Sequence, residues 1–498
     1  MSVVQELGLL APLWIVALSA MLVLLLTVAG GPKHPAPAAS THLTFIALFG
    51  LATAGFFLLN TSGTAVIFSG AVVLDGVGVA FGTTAIFGAF ATILLSAAYL
   101  EQQRLAAGEF LALVLLAVVG MLMLAMAGDL MTFFIGIETM SLAVYVLAGF
   151  RRASSKAQEA ALKYFVYGAF ASGFVLFGIA LLYGEVGRLL SRPGVTFALL
   201  TQAFAGGHVS ALGFVGVALV LAGLGFKVAA VPFHMWAPDV YEGAPTPATA
   251  FMAVGVKAAA FAGLCRFVAA TLLVSRPSSA TAVSALEVLA ILTMVTGNLL
   301  AIRQTQVKRM LAYSSIAHAG YLLVGVAAFL ADPHGGALSA IAYYLAGYTA
   351  MTLGAFGVVL AVERRDERQP DLPLERLAGL AERYPALGLA MALFMLSLAG
   401  VPPTAGFFGK LALFSAAVAG GRTAVVIVAV LASAAGAYYY LRVLVLMYMK
   451  PALDGEPRLS SAWLAAGLWA CAGYTLVVGL LPQVYLGFAE RVLVGWLG

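Results

Sequence analysis

Apolar residues run through this chain in long stretches separated by short polar intervals, from one end to the other. A helix that crosses a bilayer needs roughly 20 consecutive apolar residues. That rule predicts helices near 8–30, 41–60, 77–99, 110–127, 129–149, 160–183, 209–234, 247–272, 281–302, 311–331, 337–361, 386–416, 423–449 and 461–488, fourteen in all. The opening "MSVVQELGLLAPLW" has no basic region and runs on into a full-length apolar segment, so it reads as the start of the first span and not as a cleaved signal. Between the second and third spans, "GTAVIFSGAVVLD" (63–75) is β-branched and bounded by turn residues. It reads as a surface strand or hairpin, or else as an irregular loop.

Two spans are interrupted. Pro232 falls inside the seventh, and Gly400, Pro402, Pro403, Gly406 and Gly409 fall inside the twelfth. Proline removes a backbone donor and clashes with the preceding turn, so each helix is expected to unwind there, facing protein or a hydrated cavity. Helix seven is fourth in the set 4–8, and helix twelve is fourth in the set 9–13. An odd-numbered set makes its successor cross in the opposite sense. The expected fold is therefore an all-α polytopic membrane protein with two inverted five-helix repeats, each with one broken helix, an arrangement associated with ion translocation. The expected organisation is a three-helix segment with an outer loop or hairpin (1–109), a first five-helix unit (110–272), a second, inverted unit (281–450) and a C-terminal helix (461–498).

Ionisable residues sit at membrane depth in these same units. Glu138 is central in helix five, Lys227 precedes the first break, Lys257 is central in helix eight, His318 lies in helix ten and Lys410 closes the second break. Lys163 and His234 are nearer span ends. A charge at mid-bilayer costs about 2.5–3.5 kcal/mol, so these groups should turn inward and find partners or water. Glu138 is the one carboxylate expected deep in a span, and Lys227 its expected ion-pair partner. Lys257 and Lys410 have no evident counter-charge. A buried lysine can escape desolvation by giving up its proton, which makes both candidate carriers, with His318 as a relay between them. Simpler readings stand beside these: a static ion-pair network, Lys163 snorkelling to the interface, and His234 bracing the helix break. Arg266 and Arg442 are expected to snorkel from helix ends.

Composition narrows the class. Of 498 residues 63% are hydrophobic and 9% charged, too few charges for a water-facing domain of this size. Fifteen lysines and arginines fall in loops after odd-numbered helices, including Lys33, Arg151, Arg309, Arg364, Arg365, Arg368 and Arg458, against five on the opposite side. The positive-inside rule places those odd loops in the cytoplasm and both termini outside. The stretch 362–384 is expected to be a cytoplasmic loop with a short surface helix. A net charge of +5 spread over short loops gives no nucleic-acid footprint. Cys265 and Cys471 are isolated in apolar segments, which excludes an iron–sulfur or zinc site and a disulfide framework.

Three motifs carry a resemblance: "FKVAAVPFHMWAPDVYEGAPTPATAF" (226–251), "LAYSSIAHAGY" (311–321) and "GVPPTAGFFGK" (400–410). They resemble the antiporter-like subunits, of the N type, of bacterial NADH–quinone oxidoreductase (respiratory complex I). The resemblance implies fourteen helices in two inverted units. It implies proton translocation through Glu138, Lys227, Lys257, His318 and Lys410, with Lys163, His234 and Tyr313 as lesser contributors. It also implies no cofactor in this chain, with FMN, iron–sulfur clusters and quinone in partner subunits. Neighbours would be subunits of the M and K types and the lateral helix of subunit L, in the bacterial inner membrane. Lysine at 410, where subunit M carries glutamate, and the lack of room for a lateral helix favour the N type. A cation/proton antiporter subunit of the same fold, and a non-pumping structural or coupling subunit, remain open alternatives.

Overall fold

A computed structural model of the protein describes residues 3–30, 37–61, 63–363, 372–452 and 461–493. Lys33, Arg364, Arg365, Arg368 and Arg458, used above to orient the chain, lie outside these residues. The membrane helices are α1 (Ala11–Ala29), α2 (Pro37–Leu59), α3 (Gly76–Gln102), α4 (Ala107–Ala125), α5 (Leu130–Ala148), α6 (Ser155–Leu190), α7a (Ala211–Val228) with α7b (Trp236–Gly243), α8 (Thr246–Phe251, continuing to Leu273), α9 (Arg276–Ile302), α10 (Val307–Ala331), α11 (Ala337–Val362), α12a (Pro385–Ala399) with α12b (Ala405–Ala419), α13 (Thr423–Met449) and α14 (Ala462–Leu480). Among the described residues thirteen helices are long and apolar enough to cross a membrane, and the broken α12 pair supplies the fourteenth.

α8, α10 and α11 form the enclosed centre of the bundle, whereas α1, α6, α9 and α13 keep broad apolar faces turned outward. In lipid there is little hydrophobic gain from helix contact, so small residues that let backbones approach decide the packing. At the α4–α5 crossing a Cβ on Gly120 would stand 2.3 Å from the Met140 nitrogen, and one on Gly136 would stand 2.7 Å from that of Leu124. Gly297 and Gly320 do the same for α9 and α10.

The stretch 63–75 is a hairpin. β1 (Ala65–Ile67) pairs antiparallel with β2 (Val72–Leu74), Val66 opposite Val73. The turn holds Phe68, Ser69 and Gly70 at positive φ. Val73 N–H donates to Met126 O (2.8 Å) and Gly128 N–H to Ala71 O (2.9 Å), which fastens the hairpin to the α4–α5 loop.

Several boundaries move for physical reasons. α7a stops at Val228, not 234, because Ala229 turns left-handed (φ 58°) ahead of Pro232. The C-terminal segment is two helices: Pro482 opens a second, amphipathic one, Pro482–Leu493, packed on α3 and α11. The expected surface helix in 362–384 is two single turns, Leu374–Leu377 and Leu380–Arg383; residues 364–371 lie outside the described residues. Arg266 and Arg442 do not snorkel. Arg266 is buried in a bidentate pair with Asp75 (2.6 and 2.8 Å) and donates from Nε to Ala125 O (2.7 Å). Arg442 caps the end of α9, donating to Ile302 O (3.1 Å) and Gln304 O (2.5 Å). Glu138 is half-buried in the middle of α5, whereas the buried carboxylates Asp75, Glu185 and Glu363 lie at or near helix ends.

Candidate functional site

The two breaks satisfy the backbone groups they free. In α7 the Val231 N–H donates to Thr293 Oγ1 on α9 (3.0 Å), and Trp236 Nε1 donates back to the Phe226 carbonyl (3.0 Å). Trp236 stacks on Tyr164, centroids 4.4 Å apart, and closes the break with aromatic surface. In α12 the chain leaves α12a through Gly400 at φ 89°. The Lys410 ammonium on α12b reaches across the gap to the freed carbonyls of Leu398 (3.0 Å) and Ala399 (2.8 Å). A cation at a helix C-terminus also meets the negative end of the helix dipole. Here the break and the charge stabilise each other.

Lys227, Lys257, His318 and Lys410 are 4%, 3%, 1% and 7% exposed, so the four groups are inside the bundle and not against lipid. Lys257 follows a π-helical turn, Met252–Val256, a distortion common at functional sites. Its ammonium donates to Ser315 Oγ (2.6 Å) and to the Ser315 carbonyl, and lies 5.1 Å above the Tyr348 ring. Tyr348 OH donates to the same Ser315 hydroxyl (2.9 Å) and its ring stands 5.0 Å from that of His318. His318 is held at both nitrogens, Nδ1 by Tyr344 OH (2.5 Å) and Nε2 by Tyr440 OH (3.0 Å). Its ring meets Tyr321 edge-on at 5.7 Å, and Lys410 lies 5.3 Å from the Tyr321 centroid while donating to Ser433 Oγ (2.9 Å). Lys257, His318 and Lys410 are thus strung along one buried seam of hydroxyls and rings.

Lys227 belongs to a separate group. It donates to Ser141 Oγ (2.7 Å) and Tyr145 OH (3.0 Å), with the Tyr145 and Phe226 rings at 5.3 and 5.5 Å. The expected ion pair with Glu138 is not formed; Glu138 Oε1 instead accepts from Ser172 Oγ. Ser141 is one turn beyond Glu138 on α5, so Lys227 rests one turn away from the carboxylate. Glu138, Ser141 and Tyr145 share one face of α5 at i, i+3 and i+7, and Lys227 is level with the last two. Among the described residues no hydrogen bond joins this group to the seam.

Lys163 lies outside both groups. It pairs with Asp239 (2.8 Å) and Glu159 (2.7 Å), and with the Arg309–Asp239 and Arg309–Glu242 pairs (2.8 Å each) it ties α7b to α6 and α10. His234 sits in the α7 break with Nδ1 unpartnered among the described residues. Tyr313 is half-buried on α10, and among the described residues its hydroxyl joins neither group. The sequence reading missed Ser141, Tyr145, Ser315, Tyr344, Tyr348 and Tyr440. The i, i+4 spacing of Tyr344 and Tyr348 in a span was the available signal, since it puts both hydroxyls on one face.

Hydrogen bonds to a charged group contribute about 1.5–3 kcal/mol and a cation–π contact about 0.5–2 kcal/mol. A charge at mid-depth costs about 2.5–3.5 kcal/mol. These terms are of one size. Each seam lysine makes more than one such contact, so its neighbours offset the cost of burying it.

Comparison with known proteins bears on the family and the fold. Residues 127–436 match the family described as "NADH:quinone oxidoreductase/Mrp antiporter, TM". The chain is 44% identical over 456 residues to NADH-quinone oxidoreductase subunit N of Trichlorobacter lovleyi, covering 90% of each. Among solved structures it is similar to a chain of respiratory complex I from Thermus thermophilus with bound aureothin (TM-score 0.79, 37% identity, covering 96% of this chain and 98% of that one). A chain of the Mrp complex from Dietzia sp. shares the fold at 23% identity (TM-score 0.81, covering 99% and 98%). With paired broken helices, buried lysines on a tyrosine-lined seam and near-full-length identity of this order, the chain belongs to the antiporter-like membrane subunits of NADH–quinone oxidoreductase, in the subunit N family.

Proposed function

We propose that this chain translocates protons as the N-type membrane subunit of NADH–quinone oxidoreductase, and that NADH oxidation and quinone reduction occur in partner subunits. The observation that carries the reading is the buried seam from Lys257 through Ser315, Tyr348 and His318 to Lys410. Its titratable groups are linked by hydroxyls and rings, and among the described residues no carboxylate pairs with them. Two isolated cysteines furnish no iron–sulfur ligand set, so FMN, clusters and quinone chemistry belong to the partners. The excess of loop charge makes the basic face cytoplasmic, in the bacterial inner membrane, with both termini outside.

In this reading Glu138 and Lys227 form the switch. Lys227 resting on Ser141 and Tyr145 is the open arrangement, and movement of about one turn along α5 closes it on Glu138. Opening frees the positive charge to act on Lys257, whose proton then moves through His318 toward Lys410. Moving one charge against ~150 mV takes about 3.5 kcal/mol, at about 2.3 kcal/mol per 100 mV. Two unit charges at 4 Å interact by about 4 kcal/mol at an effective dielectric constant of 20. One switch is just sufficient.

The test is proton pumping per NADH oxidised by the intact complex in proteoliposomes. Lys257→Met should lower that ratio while NADH still reduces quinone. An unchanged ratio in the fully assembled variant would reduce the chain to a structural or coupling role. Transport that depends on Na⁺ or K⁺ would instead indicate an antiporter.

A further inference from the structure

Glu363 is a buried carboxylate that the seam does not use. It follows the last residue of α11 on the basic face, is 7% exposed, and accepts a hydrogen bond from Thr246 Oγ1 at the start of α8 (2.5 Å). Among the described residues no lysine or arginine forms an ion pair with it. Near it on α3 is Tyr99, fully buried, whose hydroxyl lies close to both Glu363 and the Arg151 guanidinium and makes no well-formed hydrogen bond among the described residues.

Tyr99 heads a polar stripe. Thr92, Ser96 and Tyr99 are all buried and recur at i, i+4 and i+7 on α3, hence on one face. The direction of that face is given by Gly88, one turn below Thr92, where a Cβ would stand 3.4 Å from Val254 and 3.3 Å from Thr349. Val254 lies in the π turn that ends at Lys257. The face that carries the stripe therefore runs from Glu363 toward Lys257, with Thr92 one turn short of Gly88 and Val254 one turn short of Lys257. On the α11 side the Thr352 hydroxyl, one turn from Tyr348, is also buried and lies close to the Tyr348 hydroxyl. Thr92 and Ser96 each donate to a carbonyl of their own helix (Gly88 O, 2.7 Å; Ile93 O, 3.0 Å), which leaves their oxygens free to accept from water that can hand protons on.

We propose that Glu363 is the proton-loading group of this subunit. Its carboxylate takes a proton from water at the basic face. It passes the proton along the Tyr99–Ser96–Thr92 stripe to the neutral amine of Lys257, which becomes the ammonium held by Ser315. Glu363 returns to the carboxylate, so the step moves one proton and leaves no net change at the loading site. This inference rests on the proton-carrying reading above and adds its point of uptake.

The experiment compares Glu363→Gln, Lys257→Met and the double variant in intact complex in proteoliposomes. Glutamine keeps an acceptor for Thr246 but cannot carry the proton. Glu363→Gln is expected to lose the same share of pumped protons per NADH as Lys257→Met, and the double variant no more than either. Partial recovery is expected in Glu363→Asp, a pattern a purely structural cap would not produce. If Glu363→Gln pumps at the wild-type ratio while Lys257→Met does not, the inference is overturned and the reading of the seam stands. If both pump normally, both fall. Should Glu363→Gln fail to assemble, Tyr99→Phe decides: slowed pumping with a larger deuterium isotope effect supports the route, and wild-type behaviour overturns it.

Discussion

At the scale of single residues, what distinguishes this site is how its cations are held. None of the seam lysines has a carboxylate at ion-pairing distance among the described residues; each has hydroxyl or carbonyl acceptors and an aromatic face. Dipoles stabilise an ammonium without demanding one, whereas a buried ion pair would lock the charge in place. Tyr145→Phe removes one of the two hydroxyls that keep Lys227 off Glu138. Loss of a hydrogen bond to a charged group, about 1.5–3 kcal/mol, should shift Lys227 toward the carboxylate and slow pumping by about tenfold or more. Stopped-flow acidification by the assembled complex would read this, and an unchanged rate would remove Tyr145 from the switch. Glu138→Gln should abolish the closed arrangement and uncouple quinone reduction from pumping through this subunit.

At the scale of elements, the breaks and the hairpin are held by particular polar contacts, and each can be probed separately. Lys410→Met leaves the Leu398 and Ala399 carbonyls without their ammonium, so hydrogen exchange across 400–406 should rise; protection equal to wild type would show that the break is held by other contacts. The Asp75–Arg266 pair joins the hairpin end of α3 to α8 and, through Ala125 O, to α4. Removing one member leaves an uncompensated buried charge. Asp75→Asn should therefore cost about 3–5 kcal/mol, and Asp75→Asn with Arg266→Met distinctly less. Thermal unfolding of the detergent-solubilised complex checks this, and equal losses in the single and double variants would argue against a direct pairing energy.

For the whole molecule, orientation follows from loop charge alone and is open to direct measurement. A membrane-impermeant thiol reagent applied to intact cells should label a cysteine placed at Gly207, between α6 and α7a. It should miss one placed at Arg104, between α3 and α4, until the membrane is opened. The reverse pattern would invert the direction of transport proposed here.

The number of spans, the two breaks and the residues at membrane depth were legible in the sequence because each follows from a one-dimensional rule: apolar length, backbone chemistry, or the desolvation of a charge. The partners were not. Glu138 and Lys227 look like a pair on any linear reading, yet the ammonium takes Ser141 and Tyr145, because the offset of α7a along α5 brings it level with those hydroxyls, one turn from the carboxylate. Arg266 looked like a residue that snorkels until the hairpin brought Asp75 to it from 191 positions away. The sequence by itself determined that ionisable side chains must be sheltered inside this bundle. Only the tertiary structure decided which hydroxyls, rings and carbonyls shelter them, since helix rotation and close glycine crossings set those contacts and leave no local signature.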